Sequence, residues 1–322
     1  MTLRTELARL SDLGEFGAEA IHAAMLERQA VIPPSIRTIG RILSRHGVLD
    51  GQRRIRRPAP APGWYLPQLA AAKAELDSFD TVIGLLLRGG VDVDVLNGVS
   101  IHGGLVSSWP RGSITATMVV GLLIERWKEF GLPTYAQFDN DNVFQGPHQY
   151  PDVLGQVIRL CLLLEITPVF APPREHGFQN AIESLNGRWQ AKVWSRLHHE
   201  TLDDVQQQTH RWVLATRRRA GVRIANAPAR RPFPAHVELD LRTHPKGLVI
   251  FIRRTDDAGS ATVLGHRLFV DSLWPQRLVR AEVDLTASRI RFFALRRREP
   301  ALQPMLAEHR YVFPRRPFNP ST

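Results

Sequence analysis

The chain of 322 residues is 43% hydrophobic, which is enough for about two or three domains with packed cores. Its 42 lysines and arginines outnumber 31 acidic residues, and the net charge of +11 favours nucleic acid as a partner over a merely basic surface. The single cysteine, Cys161, excludes a disulfide framework and a cysteine-based zinc site. No apolar run approaches about 20 residues and no signal peptide opens the chain, so we expect a cytoplasmic, nucleoid-associated protein without membrane contact.

Residues 1–57 contain three short helical patterns, the layout of a helix-turn-helix DNA-binding domain. The third pattern begins after Ser35, a good N-cap, and ends at Gly47. Its predicted apolar stripe is Ile36, Ile39, Ile42 and Leu43. The candidate DNA contacts lie off this stripe or in the basic run behind it, and they are Ser35, Arg37, Thr38, Arg41, Arg45, Arg53, Arg54, Arg56 and Arg57. The alternative is a small helical protein-interaction module. Residues 58–72 are predicted to be a proline-rich linker.

Residues 73–200 change from helical to extended patterning and then alternate between the two. Three strands are predicted from residues 80, 91 and 103, with Gly-Gly pairs as turns between them. A helix from Ser113, a strand over 134–141, a helix over 149–165, a strand over 167–173 and a last helix to Trp194 follow. This order predicts an α/β domain with a mixed five-stranded sheet and helices on both faces.

Three carboxylates take defined places in this order. Asp80 is predicted to begin the first strand, Asp139 to end the fourth, and Glu183 to lie in the first turns of the last helix. In a sheet of this kind the end of the fourth strand is next to the first, and the last helix crosses the same edge. Converging carboxylates are costly unless cations neutralise them, and their oxygens suit two Mg²⁺ or Mn²⁺ ions.

Each carboxylate also has a structural interpretation. Asp77 is an alternative to Asp80 as the first acid. Asp139 and Asp141 have the composition of turn residues. Glu183 lies three residues after Asn180, the spacing of a capping box, so it is a candidate cap for its own helix.

This segment resembles the catalytic core of the DDE transposases and retroviral-type integrases, in particular bacterial insertion-sequence transposases. QNAIESLNGRWQ, residues 179–190, is similar to the family's helix around its catalytic Glu, including the Asn three residues later. FDNDNVF, residues 138–144, is similar to its Asp-Asn-Gly block, and PVFAPP precedes the helix as in the family. The resemblance implies a ribonuclease-H-like fold in which Asp80, Asp139 and Glu183 are catalytic and bind two Mg²⁺ or Mn²⁺ ions.

The chain departs from the family pattern at Asp141 and Asn180, where the family carries Gly, and at Gln190, where it carries a basic residue. Arg188 or Lys192 is expected to take the place of that basic residue. The candidate DNA contacts of this helix are Asn186, Arg188 and Lys192.

The resemblance implies a polynucleotidyl transferase that cleaves DNA at the ends of a mobile element and transfers the strands into target DNA. Its implied partners are double-stranded DNA and further copies of the chain. One rival is a catalytically inert DNA-binding regulator derived from such an enzyme. Another is a ribonuclease-H-type nuclease acting on RNA–DNA hybrids, which leaves the helix-turn-helix without a role.

The C-terminal third is predicted to hold three further parts. Residues 201–235 form a helix and a basic linker, residues 236–299 a small SH3-like β-barrel, and residues 300–322 an extended tail. The helix supplies the candidate DNA contacts Arg217, Arg218 and Arg219. The barrel supplies the candidate phosphate contacts Arg253, Arg254, Arg267, Arg289 and Arg291. A dimerisation barrel is the alternative interpretation.

Overall fold

The computed structural model describes residues 2–28, 33–49, 62–147, 150–175, 177–236 and 238–318. Its N-terminal part contains the three expected helices, which are α1 Thr2–Leu10, α2 Ala18–Glu27 and α3 Ile36–Arg45. They pack around a small core of Ile21, Ile39 and Leu43. None of the helices in the described ranges is long and apolar enough to cross a membrane.

The start of α3 agrees with the sequence, whereas its apolar stripe is narrower than predicted. Ser35 is the N-cap, and its Oγ accepts a hydrogen bond from the backbone N–H of Thr38. Ile36 and Ile42 belong to the predicted stripe but are 45% and 42% exposed. Three helices of this length enclose only a small core, so they bury one edge of the stripe and leave the other in solvent.

The predicted linker is docked where it approaches the first strand. Trp64 and Tyr65 are buried, and the short helix α4 Pro67–Ala70 follows them. The hydroxyl of Tyr65 donates a hydrogen bond to the backbone oxygen of Phe178 and accepts one from Gln137 Nε2 at 2.6 Å. Burial of two aromatic side chains, with the Tyr65 hydroxyl hydrogen-bonded, stabilises the docked segment by more than the conformational entropy that an extended linker would retain. Residues 62–72 therefore belong to the folded core.

The five predicted core strands are present in the predicted order. They are β1 Leu76–Leu86, β2 Asp92–Ser100, β3 Val106–Arg111, β4 Tyr135–Phe138 and β5 Thr167–Phe170. The first three are antiparallel, whereas β4 pairs parallel with both β1 and β5. The end of the fourth strand therefore lies beside the first, as the sequence predicted.

Helices cover both faces of this sheet, so the chain has a mixed α/β architecture. They are α5 Ala116–Phe130, α6 Asn142–Gln145, α7 Gln156–Leu163, α8 Asn180–Trp189, α9 Leu202–Arg219 and α10 Gly221–Ala225. Buried side chains of α5 and α7 pack on one face of the sheet, and those of α8 and α9 pack on the other. The helix predicted over 149–165 begins only at Gln156, after Asp152 takes a left-handed conformation with φ of 58°. The sequence places Thr201 at the start of α9, and Thr201 and Asp204 form a capping box there.

The C-terminal strands differ most from the prediction. They are β6 Leu248–Arg254, β7 Ser260–Val263, β8 His266–Phe269, β9 Leu278–Asp284, β10 Arg289–Ala294 and β11 Met305–Arg310. Instead of a separate SH3-like barrel, β6 pairs parallel with β5, which gives a nine-stranded sheet in the order β11-β10-β9-β6-β5-β4-β1-β2-β3. Within the described residues β7 and β8 pair only with each other.

Two physical features favour this extension of the sheet. Strand β5 would otherwise present an unpaired edge, and the apolar run of β6 is buried enough to cover it. Phe170 of β5 stacks on Phe251 of β6 with ring centroids 5.2 Å apart, so a single hydrophobic core continues across the junction. The predicted tail also contributes to the sheet, because β11 pairs with β10 from Arg289 to Phe293.

The first strand begins at Leu76, four residues earlier than predicted, and places Asp77 in the protein interior. Asp77 is fully buried and accepts hydrogen bonds from Arg126 Nε and Nη2, both at 3.0 Å, and from Trp127 Nε1 at 3.2 Å. Arg230 donates two more, at 3.0 and 2.6 Å. Burial alone would raise the pKa of Asp77, but the two guanidiniums outweigh burial and hold it well below its usual range.

Removing this carboxylate should destabilise the protein. Asp77→Asn leaves two largely buried guanidiniums without a counterion, and we expect the free energy of unfolding at neutral pH to fall by about 3–5 kcal/mol. Because the folded-state pKa of Asp77 is depressed, its stabilisation is complete above the unfolded pKa of about 3.9. It is lost as the pH falls below that value, so the difference between wild type and variant should shrink there. Urea titrations followed by circular dichroism measure both effects.

Asp92→Asn is the matched control, because Asp92 is an exposed aspartate at the start of the neighbouring strand β2. It should change the unfolding free energy by less than about 0.5 kcal/mol. Equal stability of the two variants would contradict the role of Asp77 as the counterion of Arg126 and Arg230.

Candidate active site

Asp80 lies within strand β1, three residues after Asp77 and therefore on the opposite face of the sheet. It is half-buried. Its Oδ1 accepts a hydrogen bond from the backbone N–H of Thr81 at 2.9 Å, and its Oδ2 accepts one from Asn186 Nδ2 at 2.7 Å. Of the two candidates for the first acid, Asp77 is thus neutralised by arginines inside the protein, whereas Asp80 is hydrogen-bonded to uncharged donors.

A second asparagine, Asn97, orients the side chain of Asn186. Asn97 of β2 is the cross-strand partner of Asp80 and is fully buried. Its Nδ2 donates to Asn186 Oδ1 at 2.8 Å, which leaves Asn186 Nδ2 directed at Asp80. Sequence reasoning missed Asn97, although an asparagine inside an otherwise apolar, fully buried half-strand is a detectable signal.

Asp139 follows strand β4 directly. Because β1 and β4 are parallel with Ser78 paired to Gln137, the register brings residues 80 and 139 to the same level of the sheet. Asp139 Oδ1 accepts a hydrogen bond from the backbone N–H of Asp141 at 3.0 Å, and Asp141 in turn caps α6 through Val143. The turn interpretation therefore describes Asp141 correctly, whereas Asp139 combines a turn contact with a place beside Asp80.

Glu183 is an exposed residue in the first turn of α8. The capping interpretation is wrong, because Gln179 is the N-cap and no side chain caps this helix end. Ile182, Leu185 and Trp189 are buried against the sheet, and this packing places Glu183 and Asn186 over β1. The two side chains share one helical side, being three residues apart.

The electric field among these carboxylates favours protonation. Burial, followed by the charge of Asp139 and a smaller contribution from Glu183, raises the pKa of Asp80 to about 6, although the hydrogen bonds from Thr81 and Asn186 act in the opposite direction. Burial also raises the pKa of Asp139. Within the described residues none of the three forms an ion pair with a basic side chain. The site therefore concentrates negative charge that the protein itself does not neutralise.

The donor chemistry fits a hard divalent cation, since all three candidate ligands are carboxylates. No three acidic, histidine or cysteine side chains of the described ranges are gathered closely enough to hold one ion together. The electrostatic coupling of Asp80 is stronger to Asp139 than to Glu183. The carboxylates are thus coupled electrostatically as two pairs, Asp80 with Asp139 and Asp80 with Glu183.

The candidate DNA contacts of the N-terminal part fall into two groups. Those on α3 are all exposed, and they are Ser35, Arg37, Thr38, Arg41 and Arg45. Ser35 is also the helix cap, so its hydroxyl already has a partner. The candidates Arg53, Arg54, Arg56 and Arg57 lie outside the described residues.

The basic candidate DNA contacts between residues 188 and 219 differ in how many contacts they already make within the protein. Arg188 and Arg218 are exposed. Lys192 Nζ donates to the backbone oxygen of Gly14 at 3.0 Å, and Arg219 forms ion pairs with Glu15 and Glu19. Arg217 donates to Val106 and Ser107 on β3 and lies 3.5 Å from Glu129. Three of the five basic side chains therefore hold the protein together.

The C-terminal arginines predicted to contact phosphate are also engaged with other side chains of the protein. Four of them form ion pairs with acidic neighbours, and these are Arg254, Arg267, Arg289 and Arg291. Arg253 instead reaches the carboxylate edge, because β6 continues the sheet beyond β5. Its Nη2 donates to Asn140 Oδ1 at 3.0 Å, and burial lowers its pKa to about 10. The sequence could not place Arg253 beside Asn140 while β6 was assigned to another domain.

No protein-family model and no curated protein matches the chain. Among solved structures it is similar to the catalytic core domain of BIV integrase, with 17% identity over 44% of this chain and 81% of that chain and a TM-score of 0.32. It is similar to the simian T-cell lymphotropic virus intasome with PP2A regulatory subunit B56 gamma, with 13% identity, coverage of 89% and 91% and a TM-score of 0.37. The HTLV-2 integrase catalytic core domain in complex with magnesium gives 13% identity, coverage of 42% and 81% and a TM-score of 0.30.

The proximity of Asp80 and Asp139 can be tested in the metal-free protein. Asp139→Asn removes a negative charge and should lower the pKa of Asp80 from about 6 toward its ordinary value. Glu183→Gln should lower it less, because the charge of Glu183 contributes least. Carbon-13 NMR of the labelled aspartate carboxyls measures the titration.

Asp141→Asn is the control, since asparagine caps a helix as well as aspartate and the charge of Asp141 does not act on Asp80. If Asp139→Asn and Asp141→Asn leave the pKa of Asp80 equally unchanged, the two carboxylates are not electrostatically coupled.

Proposed function

We propose that the chain is a DNA transposase or integrase that cleaves strands at the ends of a mobile element and joins them to target DNA. One observation carries the proposal. The charges of Asp139 and Glu183 both raise the pKa of Asp80, and no basic side chain of the described residues forms an ion pair with any of these three carboxylates. Asp77 in the same strand differs from them, because this structural carboxylate is paired with two arginines. Unpaired, mutually repelling carboxylates are typical of a site that binds cations.

Asp80, Asp139 and Glu183 would hold two Mg²⁺ or Mn²⁺ ions between them. When bound, such ions activate an attacking oxygen and stabilise a leaving oxygen in phosphoryl transfer. The protein contributes the orientation of the carboxylates. Asn186 and the Thr81 N–H fix both oxygens of Asp80, and the Asp141 N–H fixes one oxygen of Asp139.

The proposed reaction has two steps, in each of which one P–O bond forms and one breaks. Water first attacks a phosphodiester at the element end, and the 3′ oxygen leaves as a hydroxyl. That hydroxyl then attacks a phosphodiester of target DNA, and a 3′ oxygen of the target leaves. No covalent intermediate with the protein forms, so the chain needs no nucleophilic side chain at this site.

Recognition of element ends is proposed for the exposed face of α3, where Arg37, Arg41 and Arg45 supply the charge. Arg188 and Arg218 are proposed as further DNA contacts, since both are exposed. Two DNA ends must be held together for joining, so the active form is proposed to be a homo-oligomer on DNA.

Strand transfer gives the direct test. Purified protein, a labelled duplex carrying the element end and a supercoiled plasmid should give joined product in Mg²⁺ or Mn²⁺ and none in EDTA. Asp139→Asn and Glu183→Gln should each reduce joining by about a hundredfold or more, because each removes a carboxylate that would hold the cations on which stabilisation of the transition state depends. Asp141→Asn keeps the cap of α6 and should stay within a few-fold of wild type.

The outcomes separate the rival functions. Equal silence of wild type and both variants, with DNA binding intact, favours the inert regulator. Cleavage of RNA–DNA hybrids without any joining favours the ribonuclease-H-type nuclease.

Cation binding can be measured without activity. A divalent ion that binds only the folded protein stabilises it, by about 2.7 kcal/mol at a concentration one hundred times the Kd. Mn²⁺ should therefore raise the melting temperature of wild type and of Asp141→Asn, but not of Asp80→Asn. A metal-induced shift that persists in Asp80→Asn would place the ion elsewhere in the protein.

A further inference from the structure

A cleft of about 740 Å³ lies between the segment that joins β5 to α8 and the turns on either side of β9 and β10. Its walls are unusually rich in one residue type. Five arginines line it, and they are Arg254, Arg277, Arg296, Arg297 and Arg298. Arg254 was among the candidate phosphate contacts of the sequence, whereas the other four come from two further stretches of the chain, at residue 277 and at residues 296–298.

The charge of the cleft is only partly compensated. Glu175 pairs with Arg254, and Glu299 lies 3.2 Å from Arg296. Five arginines less two glutamates leave a net charge of +3 among the lining residues. Within the described ranges, Arg277 and Arg298 form no ion pair. Both are exposed, so their guanidiniums can reach a ligand.

Aromatic rings hold several of these guanidiniums in place. The guanidinium carbons of Arg277 and Arg296 lie 4.7 and 5.2 Å from the ring centre of Trp274. Trp274 is itself fixed, since it is buried and its Nε1 donates to the Leu278 oxygen at 3.1 Å. Stacking restrains the plane of a guanidinium while its N–H donors stay outward, which lowers the entropic cost of binding an anion.

The cleft is also connected to the carboxylates. Arg297 lies 5.5 Å from the ring centre of Phe178, and Glu175 belongs to the same segment. That segment leads directly into α8, and Glu183 follows Phe178 by five residues. A ligand in the cleft would therefore lie beside the start of the helix that carries Glu183.

We propose that this cleft binds the phosphate backbone of double-stranded DNA and holds the duplex alongside the carboxylate region. The inference rests on the proposed function for its biological meaning, whereas the binding itself depends only on the cleft. Duplex DNA carries one negative charge about every 1.7 Å of its axis, so several arginines gathered from three chain segments can contact neighbouring phosphates. Arginine suits this role because its planar fork binds phosphate oxygens in pairs.

The test uses the full chain carrying Arg277→Gln and Arg298→Gln together. Binding to a fluorescent duplex of arbitrary sequence is titrated by anisotropy at several KCl concentrations, without divalent metal. We expect the affinity at moderate salt to fall about tenfold or more. The slope of log affinity against log salt should become shallower by about two, since each lost phosphate contact removes roughly 0.9.

A matched control removes the same charge from the same part of the chain. Arg242 and Arg310 are exposed, lie outside the cleft and form no ion pair in the described residues. Arg242→Gln with Arg310→Gln should change the affinity less than about twofold and leave the slope unaltered. Equal losses in both double variants would mean that only net charge matters, and unchanged binding in the cleft variant would likewise overturn the proposal.

A charge-preserving variant guards against a folding defect. Arg277→Lys with Arg298→Lys should restore the salt slope of wild type, whatever it does to the absolute affinity. A slope that stays shallow in this variant, with an unchanged melting temperature, would show that the two positions do not meet phosphates.

Failure of the cleft and failure of the proposed function give different results. If the cleft variant binds DNA like wild type while wild type still joins strands, the cleft proposal falls and the function stands. If the cleft variant loses binding as expected but wild type joins no strands, the function falls and the cleft stands.

Discussion

The buried contact between Asp77 and the guanidiniums of Arg126 and Arg230 is the constraint on which the rest of the core depends. It ties β1 to α5 and to the segment beyond α10, so one carboxylate fixes three parts of the chain. It also fixes which side of β1 faces inward. Because side chains alternate along a strand, Asp80 must then face the side covered by α8. Two aspartates three residues apart thus acquire opposite electrostatic environments, one neutralised and the other left negative.

The sequence predicted those features that depend on residues close together in the chain, and it failed where a feature depends on a contact with a distant residue. The strand order predicted that Asp139 would lie near Asp80, because the end of the fourth strand pairs beside the first. The start of β1 was misjudged because a charged residue normally marks a strand end, and only arginines 49 and 153 residues away make Asp77 compatible with burial. The capping role of Glu183 was a local inference too, but the helix began at a different residue from the one it required.

The C-terminal third escaped prediction for a related reason. Its short strands have the lengths and turns that are typical of a small barrel. Nothing in the sequence of these strands indicates that β6 pairs with β5. That choice depends on the edge that β5 leaves unpaired and on the fit of Phe251 against Phe170. The pairing has a functional side effect, since it brings Arg253 to Asn140, between Asp139 and Asp141. The candidate site therefore includes a residue from outside the five-stranded core.

Because β6 completes the edge of β5, residues 73–200 share one continuous sheet with the C-terminal strands. A fragment ending before β6 would expose the backbone donors and acceptors of β5 together with Phe170, which is the kind of edge that recruits strands from other molecules. Because the sheet and its hydrophobic core continue across what the sequence divides into domains, we expect core and C-terminal strands to unfold in one transition. The boundary that matters for cooperativity thus lies beyond the strands that bear the carboxylates, at the outer edge formed by β11.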